Sequence, residues 1–203
     1  GSLHIHPVKF PAPVTAGKLN QHNAATVLET LRIAADACAH KTADAIVTGP
    51  VNKAVMNDAG IHFSGHTEFF AQHAGVKQTV MLFVVDQVKA AIVTTHLALR
   101  NVADAVTKEK LQSVLTILNH GLQTFFHLSQ PRILVAGLNP HAGEMGHMGR
   151  EEIDVIQPAL DELRAQGMQL TGPLPADTIF TPDVMKHADA VLGMYHDQIL
   201  PVI

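Results

Sequence analysis

The chain has 203 residues, 47% of them hydrophobic and 16% charged, with 14 Gly and 11 Pro, which is the make-up of a packed globular protein and not of a disordered or collagen-like one. Fourteen basic and 18 acidic side chains give a net charge of −4 with no long run of either sign, which argues against nucleic acid as a partner. The longest unbroken apolar run, Val80 to Val85, has six residues against the roughly 20 that cross a bilayer, and no basic-then-apolar leader is present; a soluble, cytoplasmic protein with no membrane partner is expected.

From Asn20 the apolar positions Val27, Leu28, Leu31, Ala34, Ala35 and Cys38 recur at helical spacing, and Ala45-Ile46-Val47-Thr48 reads as a buried strand. Cys38, the single cysteine, sits in that stripe as a small hydrophobe and suits a reducing compartment. Pro50 is expected to open a short helix through Met56, with Gly60 helping to end it, and His66 to Ala74 reads as a further helix. Thr79 to Val85 and Val88 to Thr95 are β-rich and separated only by Asp86-Gln87, a spacing that suits an antiparallel hairpin and hence a mixed sheet. Thr107 can cap a long helix whose stripe runs Leu111, Val114, Leu115, Leu118, Leu122, Phe125, Phe126. Strand Arg132 to Gly137, a Gly-rich loop and a helix from about Glu151 to Gln166, kinked at Pro158 and stopped by Gly167, follow. Met168 to Thr171 and Ala190 to Met194 read as strands. With no repeat and no linker, residues 1–203 are expected to form one compact α/β unit. The apolar ending Leu200-Pro201-Val202-Ile203 lacks a polar stop and suggests a truncated chain.

Histidine supplies 14 residues while Trp is absent and Tyr occurs once, so imidazole is where chemistry is expected. His96, His141 and His196 each follow the end of a predicted strand. Ligands of open α/β sheets gather beyond the carboxyl ends of strands, so three imidazoles there could bind a divalent metal such as Zn²⁺, Co²⁺, Mn²⁺ or Ni²⁺. Their separations match no local metal motif, and the bland alternative is that each caps its own strand end. Ser64-Gly65-His66-Thr67-Glu68 places free backbone N–H groups, the Thr67 hydroxyl and the His66 imidazole at a helix start, suited to a phosphate or carboxylate or to simple N-capping. Asp177, and Asp197 beside His196, supply carboxylates that could orient an imidazole or move a proton, or merely face solvent.

Six ordered segments carry a resemblance: Thr48-Gly49-Pro50-Val51-Asn52-Lys53, Gly65-His66-Thr67-Glu68-Phe69, Thr94-Thr95-His96-Leu97, Gly137-Leu138-Asn139-Pro140-His141-Ala142-Gly143-Glu144, Gly172-Pro173-Leu174-Pro175-Ala176-Asp177-Thr178 and Met194-Tyr195-His196-Asp197-Gln198. Together, over nearly the whole chain, they resemble the 4-hydroxythreonine-4-phosphate dehydrogenase family of vitamin B6 biosynthesis. The resemblance implies a three-layer, mixed-sheet α/β fold like that of the isocitrate and isopropylmalate dehydrogenases, here truncated at both ends and corresponding to the middle of a longer two-domain enzyme. It implies metal- and NAD(P)-dependent oxidation of 4-phosphooxy-L-threonine to 2-amino-3-oxo-4-phosphooxybutanoate, which decarboxylates to 3-amino-2-oxopropyl phosphate. The family's metal histidines fall on His96, His141 and His196, for Zn, Mg or Co, and its substrate-binding pair falls on His66 and Thr67. Asp177 and Asp197 are the candidate proton-transfer residues. The family's cytoplasmic homodimer has its active site at the interface, with the His196 equivalent reaching across. The NAD or NADP site is expected mainly in segments absent from this chain, which by itself is expected to be inactive. A relative acting on 4-phospho-threonate or 4-phospho-erythronate, a three-histidine metal hydrolase and a non-catalytic metal-stabilised module are the alternatives.

Overall fold

The computed structural model describes residues 2–203. Its contacts divide into two compact units, Gly1–Lys77 and Gln78–Ile203, at a boundary that no linker marks and across which the sequence reads as one unit. In the first unit Asn23 pins the preceding segment: its Oδ1 accepts the Ala12 N–H at 3.0 Å and its Nδ2 donates to the Ala12 carbonyl at 3.2 Å. Helix α1 (Ala24–Ala39) follows, then α2 (Lys53–Asp58) and α3 (His66–His73). Helix α2 begins later than Pro50 because Asn52 caps it, accepting the Val55 N–H at 3.1 Å. Leu31 of α1, Met56 of α2 and Phe63 before α3 form a small buried core with Ala24.

The strand expected at Ala45–Thr48 is absent. That segment has no regular structure and Val47 is 98% exposed. The described residues of this unit contain no strand, so the run has no ladder to join, and β-propensity without a partner leaves the backbone N–H and C=O groups to water.

The second unit is built on a five-stranded sheet of order β1-β2-β5-β3-β4. Strands β1 (Met81–Val85) and β2 (Val88–Ile92) form the antiparallel hairpin, turning at Asp86 with φ of 50°, while β2, β5 (Ala190–Gly193), β3 (Arg132–Ala136) and β4 (Gln169–Leu174) are parallel neighbours. The short helix α4 (Val102–Ala105) precedes α5 (Lys108–Phe126), capped by Thr107, whose hydroxyl accepts the Lys110 N–H. Helix α6 (Gln157–Ala165) is entered through a π-turn, Glu152–Ile156, in which the Gln157 N–H bonds the Glu152 carbonyl. Pro158 has no N–H for an ordinary helical bond, and the wider turn absorbs the break expected there as a kink. Short helices α7 (Pro182–Met185) and α8 (His196–Ile199) complete the unit.

Strand alternation sorts the core into layers. Ala91, Val93, Ile133, Val135, Ala190 and Leu192 point to one face, against Leu111, Leu115 and Leu122 of α5 and Leu160 and Leu163 of α6. Ala90, Ile92, Leu134, Ala136 and Val191 point to the other, against Ile179 and Ile199. The fold is mixed α/β with the sheet in the middle layer, as the sequence predicts.

Candidate functional site

Parallel pairing decides which histidines meet. The β2–β5 register sets Ile92 opposite Gly193, and the pairing continues beyond both strands: Val93 N–H to Gly193 carbonyl at 2.9 Å, Thr94 N–H to Met194 carbonyl at 3.1 Å. The Thr94 hydroxyl donates to the same Met194 carbonyl at 2.7 Å and is buried. Two residues further along each chain stand His96 and His196, their ring centroids 5.7 Å apart and tilted by 45°. Asp197 hydrogen-bonds the His196 Nδ1 through Oδ1 at 2.7 Å. These three residues line an open cleft of about 580 Å³ with Thr95, Leu97 and Leu99 among its walls.

His141 follows β3, on the other side of β5, and is carried by an unusual turn. His141, Ala142, Gly143, Glu144 and Met145 all have positive φ, between 42° and 79°, a left-handed stretch that costs L-residues roughly 1–2 kcal/mol each. From this turn His141 Nδ1 faces Asp177 Oδ2 at 3.9 Å, both side chains more than half exposed. The structure therefore pairs His96 with His196 and His141 with Asp177. Among the described residues no group of three His, Cys, Asp or Glu side chains is close enough to hold one ion.

The turn is held by a residue that the sequence reading did not single out. Glu152, 3% exposed, accepts the Leu138 and Asn139 N–H groups through Oε1, both at 2.7 Å, and the Asn139 Nδ2 through Oε2 at 3.0 Å. Its signal was present: Glu152 shares the spacing of Ile156, Ala159, Leu160 and Leu163 on the buried helix face, and an acid at an apolar position must find partners there. Gln198, which the sequence offers only as the end of the segment Met194–Gln198 and with no role of its own, links the ends of β3 and β5 through the Gly137 carbonyl and the Met194 N–H.

In the first unit His66 and Thr67 open α3 after Gly65, with Thr67 exposed. The His66 ring sits edge-on to Phe63 at 5.7 Å and against Phe70 at 6.1 Å. Its Nε2 is the side-chain polar atom among the described residues that is buried without a hydrogen-bond partner, an unmet demand that a bound acceptor or donor would satisfy.

The donor set fits a nitrogen-ligated divalent ion in part. Ring centroids of two imidazoles on one tetrahedral ion stand about 5 Å apart when metal–nitrogen bonds are about 2.1 Å, close to the 5.7 Å between His96 and His196. The Asp197–His196 hydrogen bond is the kind of carboxylate contact that fixes a ligating ring. The third ligand of such a site is not supplied by the described residues in this arrangement.

The pyridoxal phosphate biosynthetic protein PdxA family matches residues 1–203. The chain is 57% identical over 203 residues to the 4-hydroxythreonine-4-phosphate dehydrogenases of Serratia proteamaculans and of Erwinia tasmaniensis, covering 100% of this chain and 62% of each relative. It is similar to the crystal structure of 4-hydroxythreonine-4-phosphate dehydrogenase from Klebsiella pneumoniae, with a TM-score of 0.86 and 33% identity over 95% of this chain and 58% of that one. The chain thus spans about three fifths of the length of the relatives it matches.

Proposed function

The chain belongs to the pyridoxal phosphate biosynthetic protein PdxA family, and from that premise we propose that its protein is a cytoplasmic, homodimeric, metal- and NAD(P)-dependent dehydrogenase oxidising 4-phosphooxy-L-threonine. The product, 2-amino-3-oxo-4-phosphooxybutanoate, loses CO₂ to give 3-amino-2-oxopropyl phosphate in vitamin B6 biosynthesis. The observation that carries the reading is the approach of His96 and His196 at the carboxyl edge of the sheet, where α/β folds bind ligands.

His96, His141 and His196 would together hold a divalent cation, Zn, Mg or Co, at a dimer interface, with His196 reaching across it. When bound, the cation would supply Lewis acidity to the substrate's hydroxyl and carboxylate oxygens, and NAD or NADP would supply the hydride acceptor. Asp197 orients the His196 ring through its hydrogen bond to Nδ1. Asp177, exposed beside His141, takes the proton of the reacting hydroxyl, and either aspartate returns one to the enolate carbon. His66 and Thr67 bind the substrate at the start of α3, where free backbone N–H groups favour an anionic group.

The test is nicotinamide reduction by the purified whole protein, not by this chain alone, with 4-phosphooxy-L-threonine, a divalent metal and NAD or NADP. Reduction dependent on both metal and substrate supports the reading. Its absence overturns the reading, reduction only with 4-phospho-threonate or 4-phospho-erythronate moves the substrate to those compounds, and phosphate release without nicotinamide favours a metal hydrolase.

A further inference from the structure

We propose that Glu152 is a positioning residue of this site, holding the left-handed turn His141–Met145 and with it the direction of the His141 imidazole. The inference rests on the reading of His141 as a metal ligand given above, but its structural part stands on the turn alone. Five consecutive positive φ values, four of them at non-glycine residues, persist only where the surroundings over-determine them. Packing of the turn's own side chains does not do so: Met145 is 88% exposed, and His141 and Glu144 also face outward. The attachments are polar and converge on one buried carboxylate.

Glu152 Oε1 receives two consecutive backbone N–H groups, Leu138 and Asn139, at the entry to the turn. Its Oε2 receives the Asn139 side chain, whose Nδ2 also donates to Glu151 at 2.6 Å. Inside the turn, buried Gly143 lies so close that a Cβ there would fall 2.5 Å from Glu152 Oε2 and 3.0 Å from the Gly149 carbonyl. A Cβ on Gly137 would meet Oε1 at 3.0 Å. The carboxylate therefore fills a cradle lined by glycine, with its oxygens occupied by N–H donors. The π-turn starting at Glu152 places this side chain back over the loop while Ile156, Leu160 and Leu163 stay in the core. Charge-assisted bonds from three donors are strong enough to select one backbone conformation.

The experiment compares the wild-type protein with E152Q and N139A by Co²⁺ titration, thermal melting and NMR of the metal-free protein. The E152Q substitution exchanges one carboxylate oxygen for an NH₂ group, which meets N–H donors where it needs acceptors, and N139A removes the side-chain amide that Glu151 and Glu152 share. Expected are cobalt binding weaker by about tenfold to a hundredfold, displaced backbone amide signals over residues 141–145 and a displaced His141 ring signal, with the His96 ring signal unmoved. Cobalt affinity within about twofold of wild type together with unmoved 141–145 signals overturns the inference. If the wild type takes no cobalt, the metal reading of His141 fails and the 141–145 signals alone decide the role of Glu152. If E152Q does not fold, N139A decides by the same readouts.

Discussion

Gln198 ties two strand ends together: its Nε2 donates to the Gly137 carbonyl at 2.7 Å and its Oε1 accepts the Met194 N–H at 2.6 Å. Gly137 follows β3 and Met194 follows β5, the central strand, so one amide fixes the spacing between the chains that lead to His141 and His196. The close seat of α8 makes this possible, since a Cβ on Gly193 would collide with Ile199.

Gln198→Ala removes both bonds and leaves a carbonyl and an N–H unpaired at a half-buried position. At about 1 kcal/mol for each bond, a loss of roughly 2 kcal/mol is expected, read as a lower urea midpoint at unchanged slope. A midpoint equal to that of the wild type shows that the bridge contributes nothing in solution.

His96→Ala and His196→Ala each remove one of the two rings that stand 5.7 Å apart. Each is expected to weaken divalent-metal binding by more than the roughly 10–100-fold that loss of an outer partner costs, and to lower kcat with it. His120→Ala, on the exposed side of α5, is expected to leave both unchanged. Equilibrium dialysis with kinetics checks this, and a variant with full metal content and normal kcat takes its histidine out of the site.

His66→Asn keeps a polar group at the start of α3 but withdraws the imidazole from between Phe63 and Phe70. A substrate-binding role predicts a KM raised about tenfold with kcat changed far less, the mark of lost ground-state binding. An unchanged KM with a lowered melting temperature assigns the ring to packing instead.

Acid stability should report a clamp at the other end of the strands. Asp189 accepts the Arg132 backbone N–H at 2.8 Å and its guanidinium at 3.0 and 3.1 Å, joining the starts of β5 and β3. The Arg132 side-chain hydrogen bonds, more than burial opposes, hold the Asp189 carboxyl below its ordinary value. A depressed folded-state pKa means that the stabilisation is complete above the unfolded value of about 3.9 and is lost as pH falls through the folded value. Asp189→Asn should therefore lower stability at neutral pH, and the gap to wild type should close in the acid range below about pH 3.9. Denaturant midpoints measured across that range test it; a gap that stays constant shows that the charge on Asp189 is not what the clamp uses.

Local periodicity was enough to read α1, α3, α5, the β1–β2 hairpin and the parallel strands, because each carries its own hydrophobic pattern and its own stop signals. The placement of His96, His141 and His196 after strands was equally legible. Pattern failed at Ala45–Thr48, where an apolar run has no neighbouring strand to pair with, and at α2, where the Asn52 cap outweighs Pro50 as the start. Which histidines meet was decided only by tertiary structure, since register between strands about a hundred residues apart brings His96 to His196 and leaves His141 facing Asp177. The partners of Glu152 and Gln198 were decided in the same way: the helical spacing marks Glu152 as a buried acid, but a hydrogen bond between a side chain and a distant backbone leaves no period in the sequence, and only the folded chain brings donor and acceptor within reach.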